Sequence, residues 1–245
     1  MSVSSKMYFR LELAETRCLH GEWSAALADL NEVEALAPGH FSTDFLRGRI
    51  LLGGGNAVEA RAALDRLIAR EPGHSRAITW RARASRALGD MEAAVTDYRA
   101  ALQMTDRPEP DLVQETADAL AAHGRVEEAV EVLGQGIARL GNLASLVLKA
   151  MELELFTGRF DAALSRVAVM QQSAPRPEPW MARRASILGR AGRTAAAQAA
   201  WRDLLTHLAA LPSLERGSHA MSLLAEQARQ ALSALSPTSL SALPR

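Results

Sequence analysis

Three arginines on one predicted helix are the side chains best placed to bind another molecule. Arg76, Arg83 and Arg86 share a stripe with Thr79 on the helix predicted over residues 75–88, because helical steps of three and four residues separate them. A guanidinium group donates hydrogen bonds in a planar fork that fits a carboxylate. The stripe is therefore a candidate surface for the acidic side chains of a partner.

Catalytic chemistry has no comparable signature. The sequence contains no GxGxxG fingerprint and no HExxH motif, and the glycine run 53–55 lacks the Gly-Lys-Ser/Thr ending of a phosphate-binding loop. Cys18 is the sole cysteine, which excludes an intramolecular disulfide and a cysteine-based metal site. His40 and His74 stand in Pro-Gly-His junctions, where an exposed turn residue is the simpler interpretation. We therefore predict no catalytic residue, no metal site and no cofactor in a protein that is not an enzyme.

The helix that carries the arginines belongs to a repeating pattern. Glycine recurs at 21, 55, 89, 124, 158 and 192, in steps of 34 with one step of 35. An alanine follows each glycine after five residues, at positions 26, 60, 94, 129, 163 and 197, and prolines at 38, 72 and 175 close three of the repeats. Glycine tolerates left-handed backbone, alanine lets two helices approach closely and proline ends a helix. The pattern therefore predicts two helices and a tight turn in each repeat.

These residues resemble the tetratricopeptide repeat family, whose units are 34-residue helix–turn–helix modules. The resemblance covers residues 7–211 and implies an all-α fold, a right-handed α-solenoid of about six units. The units are expected over residues 7–40, 41–74, 75–109, 110–143, 144–177 and 178–211. Gly136 replaces the usual alanine and the fourth unit lacks its closing proline, so we expect that unit to be the least regular. An amphipathic helix over 214–235 should cap the solenoid, and residues 236–245 should form a flexible tail.

Superposing the repeats extends the arginine stripe into a concave groove lined by first helices. The groove is predicted to have a basic middle, an acidic stretch beside it and apolar positions at intervals. Its predicted partner-binding residues are Arg49, Arg76, Arg83, Arg86, Phe45, Leu52, Asp111, Asp118 and Glu152. Two interpretations stay open. The groove could take an extended or helical segment whose acidic residues pair with the arginines, or its charges could pair with one another across adjacent repeats.

The function that follows is a non-enzymatic interaction scaffold or adaptor that binds a partner segment in the groove. The alternative is a self-assembling structural protein that forms homo-oligomers through its ends or its C-terminal helix. The sequence has 28 Lys and Arg against 28 Asp and Glu, so no net charge attracts nucleic acid or an anionic membrane. It has no secretory leader and no apolar stretch of about 18 residues, which predicts a cytoplasmic protein.

Overall fold

The computed structural model of the protein describes residues 3–38 and 41–235, and every regular element in these ranges is a helix. The chain divides into two compact units, which we call unit 1 (Met1–Leu140) and unit 2 (Gly141–Arg245). The tail predicted over 236–245 lies outside the described residues, as does His40.

The described part of unit 1 contains eight helices, packed as four consecutive pairs. They are α1 (Val3–Leu19), α2 (Trp23–Leu36), α3 (Phe41–Gly53), α4 (Ala57–Arg70), α5 (Ser75–Ala87), α6 (Met91–Gln103), α7 (Pro110–Ala122) and α8 (Val126–Leu140). Each second helix also packs on the first helix of the next pair, and α3 contacts both α1 and α5. The first helices α1, α3 and α5 are therefore neighbours on one face of unit 1. We call the surface formed by these three helices and the adjoining helix α7 the first-helix face.

The described part of unit 2 contains two further pairs and a C-terminal helix. The helices are α9 (Ala144–Phe156), α10 (Phe160–Ser173), α11 (Glu178–Arg190), α12 (Thr194–Ala210), the short α13 (Ser213–Arg216) and α14 (His219–Ala234). Helix α14 packs on α11 and α12 and buries Met221 and Ala228 in a cluster that includes Trp201. Gln198 Nε2 donates a hydrogen bond to the Leu235 carbonyl at 2.7 Å, which fixes the end of this helix.

One glycine turn joins the two helices of every pair. At Gly89 the backbone has φ +79°, and the Asp90 N–H donates to the Ser85 carbonyl at 2.9 Å. The five equivalent glycines have φ between +72° and +85°, and each turn repeats this hydrogen bond at 2.7–2.9 Å. A positive φ strains any residue with a Cβ atom, and the hydrogen bond satisfies a carbonyl at the end of the first helix. The backbone geometry explains why glycine recurs with the period of the repeat.

Small residues set the close approach of the paired helices. The six repeated alanines, at 26, 60, 94, 129, 163 and 197, are all fully buried. Sterics also explain the glycine at position 136 on α8, because a Cβ atom added there would lie 2.5 Å from Cγ1 of Val113 on α7. The departure from alanine at this position therefore reflects the tight packing of α7 against α8.

A buried carboxylate joins the two helices in five of the six pairs. In the α5–α6 pair, Arg81 donates from Nε and Nη2 to the two carboxylate oxygens of Asp97, both at 2.7 Å. The other four are Asp29 with Arg10 and Arg17, Asp44 with Arg66 and Arg70, Glu154 with Arg166, and Glu178 with His207. The described residues of α7 and α8 include no buried carboxylate; the buried Thr116 there donates to its own helix, to the Leu112 carbonyl at 2.6 Å. The arginines of these pairs therefore have a structural role.

Candidate partner-binding face

Five side chains of α3 and α5 form an alternating stack that we call the arginine–aromatic row: Arg76, Phe45, Arg49, Trp80 and Arg83. The Cζ atom of Arg76 lies 5.1 Å from the ring centre of Phe45, and that of Arg83 lies 4.5 Å from Trp80. Arg49 stands between the two rings, 5.8 Å from Phe45 and 5.4 Å from Trp80. Each such cation–π contact contributes about 0.5–1 kcal/mol when exposed and more when desolvated. The rings therefore hold the guanidinium groups in place.

Helical spacing and neighbouring packing create the row. Phe45 and Arg49 are one turn apart on α3, and Trp80 lies one turn from both Arg76 and Arg83 on α5. Phe45 and Trp80 both pack against the buried cluster formed by Leu64, Leu67 and Ala77, so each aromatic ring is anchored in the core at one edge. The core thus fixes the two rings, and the rings orient the arginines.

Two ion pairs extend the row to the neighbouring first helices. Arg83 Nε donates to Oε2 of Glu115 on α7 at 2.8 Å, and Arg49 Nη1 lies 3.2 Å from Oε1 of Glu15 on α1. All four first helices of unit 1 therefore contribute to one connected surface. The charges of Arg83 and Arg49 therefore pair across adjacent repeats, which is the second of the two interpretations that the sequence leaves open. Two arginines of the row nevertheless have donors without an acceptor among the described residues. The Nε atom of Arg49 is buried with no hydrogen-bond partner among the described residues, and exposed Arg76 has no carboxylate partner there.

A cavity of about 320 Å³ opens beside the row, entirely within unit 1. Its charged lining consists of Arg49, Arg76, Arg83, Arg107 and Glu109. Arg107 and Glu109 belong to the connection between α6 and α7, and both are exposed. Arg49 and Arg83 are already paired with Glu15 and Glu115, whereas Arg76 and Arg107 have no carboxylate partner among the described residues. These two positive groups stand against Glu109 at the cavity, which favours an anionic ligand.

The other predicted groove residues lie away from this cavity. Leu52 packs on the core cluster of Leu51, Ala60 and Ala84, and half-buried Arg86 lies near Tyr98. On α7, Asp111 is exposed and Asp118 is half-buried. Glu152 belongs to unit 2, where its carboxylate lies 3.8 Å from Nζ of Lys149. The structure therefore brings together Phe45, Arg49, Arg76 and Arg83 from the predicted set and adds Trp80, Arg107 and Glu115.

Two titratable groups near the row stay neutral. Burial raises the pKa of the Tyr98 hydroxyl, and the negative charge of nearby Glu115 raises it further. Burial also raises the pKa of the Cys18 thiol, against the opposing charge of Arg49. A thiol must lose its proton to act as a nucleophile or metal ligand. Cys18 therefore has the properties of a packing residue.

The described residues offer neither a metal site nor a membrane span. Within them, no three side chains of His, Cys, Asp or Glu are arranged to hold a metal ion. None of the described helices combines the length and apolar character needed to cross a bilayer. The chemistry of the face is thus that of guanidinium groups and aromatic rings.

Stacked helix pairs with glycine turns and neighbouring first helices define an α-helical repeat protein. Residues 11–75 and again 45–111 match the family model described as tetratricopeptide repeat. The match confirms the predicted tetratricopeptide repeat family for residues 11–111, and the helix pairs confirm the predicted all-α repeat fold. A search of curated proteins found no match.

Solved structures with this fold cover most of the chain. A tetratricopeptide repeat protein from Parabacteroides merdae is 16% identical, with a TM-score of 0.59, over 94% of this chain and 92% of its own. The protein MamA is 13% identical, with a TM-score of 0.57, over 71% of this chain and 98% of its own. A thermophilic repeat protein of Thermus thermophilus is 24% identical, with a TM-score of 0.52, over 74% of this chain and 98% of its own. These similarities concern the fold alone.

Proposed function

We propose that the protein is a non-enzymatic interaction scaffold that binds an acidic segment of a partner protein on the first-helix face of unit 1. Tetratricopeptide repeat proteins mediate protein–protein interactions or assembly, which supports the general role. The observation that carries the specific proposal is the arginine–aromatic row. Arginine and tryptophan are enriched among the residues that dominate binding energy at protein interfaces, and here they are adjacent.

The charge of the face defines the partner. Arg76 and Arg107 are exposed and line one cavity without a carboxylate partner among the described residues. Guanidinium forks bind carboxylates and phosphates through two parallel hydrogen bonds. The partner segment therefore carries acidic side chains opposite this cavity.

Charge reversal at the cavity tests the proposal. Neither side chain makes a hydrogen bond within the described residues, and the double variant Arg76→Glu/Arg107→Glu loses only the exposed contact between Arg76 and Phe45, so it should still fold. Arg202→Glu, an exposed arginine of α12, is the matched control. In affinity capture from the native cell followed by mass spectrometry, the partner should be retained by the wild type and the control and lost with the double variant. An identical set of captured proteins for all three would contradict the proposal.

Homo-oligomerisation through α1 is the second candidate. Tyr8 and Phe9 are 61% and 55% exposed on this helix, and Leu19 at its end is 73% exposed. Large apolar side chains grouped on a surface favour association with another protein surface. Light scattering over a range of concentrations should show an oligomer that the variant Tyr8→Ser/Phe9→Ser loses. A monomer at high concentration would exclude this candidate.

A further inference from the structure

We propose that the cavity beside the arginine–aromatic row binds a phosphate monoester, a phosphorylated side chain of the partner segment. This proposal rests on the proposed scaffold function and adds the chemical class of the group that the cavity recognises. Three arginines of the cavity lining carry the proposal: Arg49, Arg76 and Arg107.

The three arginines come from three different elements of unit 1. Arg49 belongs to α3, Arg76 to the first turn of α5, and Arg107 to the connection between α6 and α7. A carboxylate accepts hydrogen bonds mainly in one plane, whereas a phosphate monoester presents three terminal oxygens in a tetrahedral arrangement. Guanidinium groups that approach from three elements suit the tetrahedral group better than the planar one.

One arginine of the cavity lining has an unsatisfied donor. The Nε–H of Arg49 is buried with no acceptor among the described residues, and burying a donor without a partner is unfavourable. An anion bound in the cavity would lie beside this guanidinium group and interact favourably with its positive charge. The first turn of α5 adds to the attraction through Ser75 and Arg76, because backbone N–H groups give a helix N-terminus a partial positive charge. Glu109 is the one carboxylate in the lining.

The connection that carries Arg107 is held in place from a second helix. Arg139 of α8 donates from Nε to the Asp106 carbonyl at 3.0 Å, and its Nη2 donates to the Thr105 carbonyl. The backbone N–H of Arg107 itself donates to Oγ1 of Thr105 at 3.2 Å. These hydrogen bonds fix the backbone from which the Arg107 side chain extends. The rings of the row likewise hold the guanidinium groups of Arg49 and Arg76 in place.

Small probes test the anion directly. N-acetyl-phosphoserine amide and N-acetyl-aspartate amide are titrated into the full-length protein and followed by NMR through the backbone amides and the Arg49 Nε–H signal. The phosphoserine compound should shift the Arg49 Nε–H and bind about tenfold more tightly than the aspartate compound. Arg76→Gln and Arg107→Gln should each weaken it about tenfold, since a hydrogen bond to a charged group is worth that factor or more. Arg202→Gln is the control, because Arg202 is an exposed arginine of α12 outside the cavity, and it should change affinity less than about twofold.

The outcomes separate this proposal from the scaffold function. Equal binding of the two compounds, or phosphoserine binding that Arg76→Gln and Arg107→Gln leave unchanged, would overturn the phosphate proposal. Phosphatase treatment of the cell extract should abolish capture of the partner by the wild type. Capture that survives phosphatase but depends on Arg76 and Arg107 would refute the phosphate proposal and leave the acidic-segment scaffold intact.

Discussion

Replacing Arg81 by methionine tests the buried carboxylates that join the helix pairs. Arg81 makes two hydrogen bonds of 2.7 Å to Asp97 and one of 2.9 Å to Asp65, and the bonds to Asp97 raise the pKa of Arg81 above its usual range. The side chain of Asp97 is 10% exposed and that of Arg81 is 27% exposed, so water cannot replace the lost partner fully. Methionine keeps much of the apolar length of the side chain and removes the charge.

The expected loss is large because an unpaired charge stays behind. Breaking a buried ion pair from one side costs about 3–5 kcal/mol, and the partial exposure of Arg81 places this case near the lower end. For a chain of this length each kcal/mol lowers the melting temperature by about 2–4 °C, so Arg81→Met should melt about 6–12 °C lower. Urea unfolding and thermal melting, both followed by circular dichroism at 222 nm, measure the two quantities.

A double variant decides whether the buried charge is the cause. Arg81→Met/Asp97→Leu removes both charges and should regain most of the lost stability, because apolar replacement of a whole buried pair is often neutral. Arg193→Met is the matched control, since Arg193 pairs with Asp161 at 2.7 Å on the exposed surface and its loss should change little. The reasoning is refuted if Arg81→Met behaves like this control, or if the double variant is as unstable as the single one.

Three further predictions concern single positions. Gly89→Ala should lower the unfolding free energy by about 1–2 kcal/mol through backbone strain alone, because φ is +79° and an added Cβ meets no atom within 4 Å; Gly89→Asn should lose less in the same urea titration. Gly136→Ala should cost about 1 kcal/mol, since overpacking against Val113 outweighs the gain in helix propensity, and Val113→Ala in the same chain should relieve the clash. Hydrogen bonds from Arg125 and Arg99 lower the pKa of Glu128 from 4.5 to about 2. The ionised Glu128 therefore stabilises the folded state above about pH 4.5, and this stabilisation is lost as the pH falls toward 2. In urea titrations between those pH values, Glu128→Gln should lose less stability than the wild type.

The repeat was predictable because its causes are local. A glycine at positive φ and an alanine in the helix contact act within one turn or one helix pair, so each leaves a mark at a fixed position. The sequence shows that Gly136 departs from the usual alanine, but it does not show why. The reason is the close approach of Val113 on α7, which depends on how the two helices pack in the tertiary structure.

The arginine–aromatic row was only half predictable. The sequence predicts Arg49, Arg76, Arg83 and Phe45 as groove residues but not Trp80. The structure groups these four side chains with Trp80 in the row. Positions 79 and 80 both adjoin Arg76 and Arg83 on a helix of 3.6 residues per turn, so helical spacing alone does not choose between Thr79 and Trp80. That choice depends on the angle at which α3 packs on α5.

The buried carboxylates have a signal in the sequence. Asp97 lies three residues after Ala94 and four before Ala101, which places a charge on the face that packs against the partner helix. Asp29 occupies the same position of its repeat, eight residues after the glycine, and Arg166 occupies it on α10, where it pairs with Glu154. On α8 that position is the apolar Val132. A charge on a core-facing stripe therefore indicates a cross-helix partner.

The stacking of Arg49 between Phe45 and Trp80 affects the entropy of binding. A flexible side chain that becomes ordered at an interface loses conformational entropy worth about 0.5–1.5 kcal/mol. The side chain of Arg49 is only 14% exposed and is held by two rings and by Glu15, so most of that entropy is lost when the protein folds. A ligand that reaches this guanidinium therefore meets a donor whose rotamer is already selected, and more of the interaction energy remains as affinity.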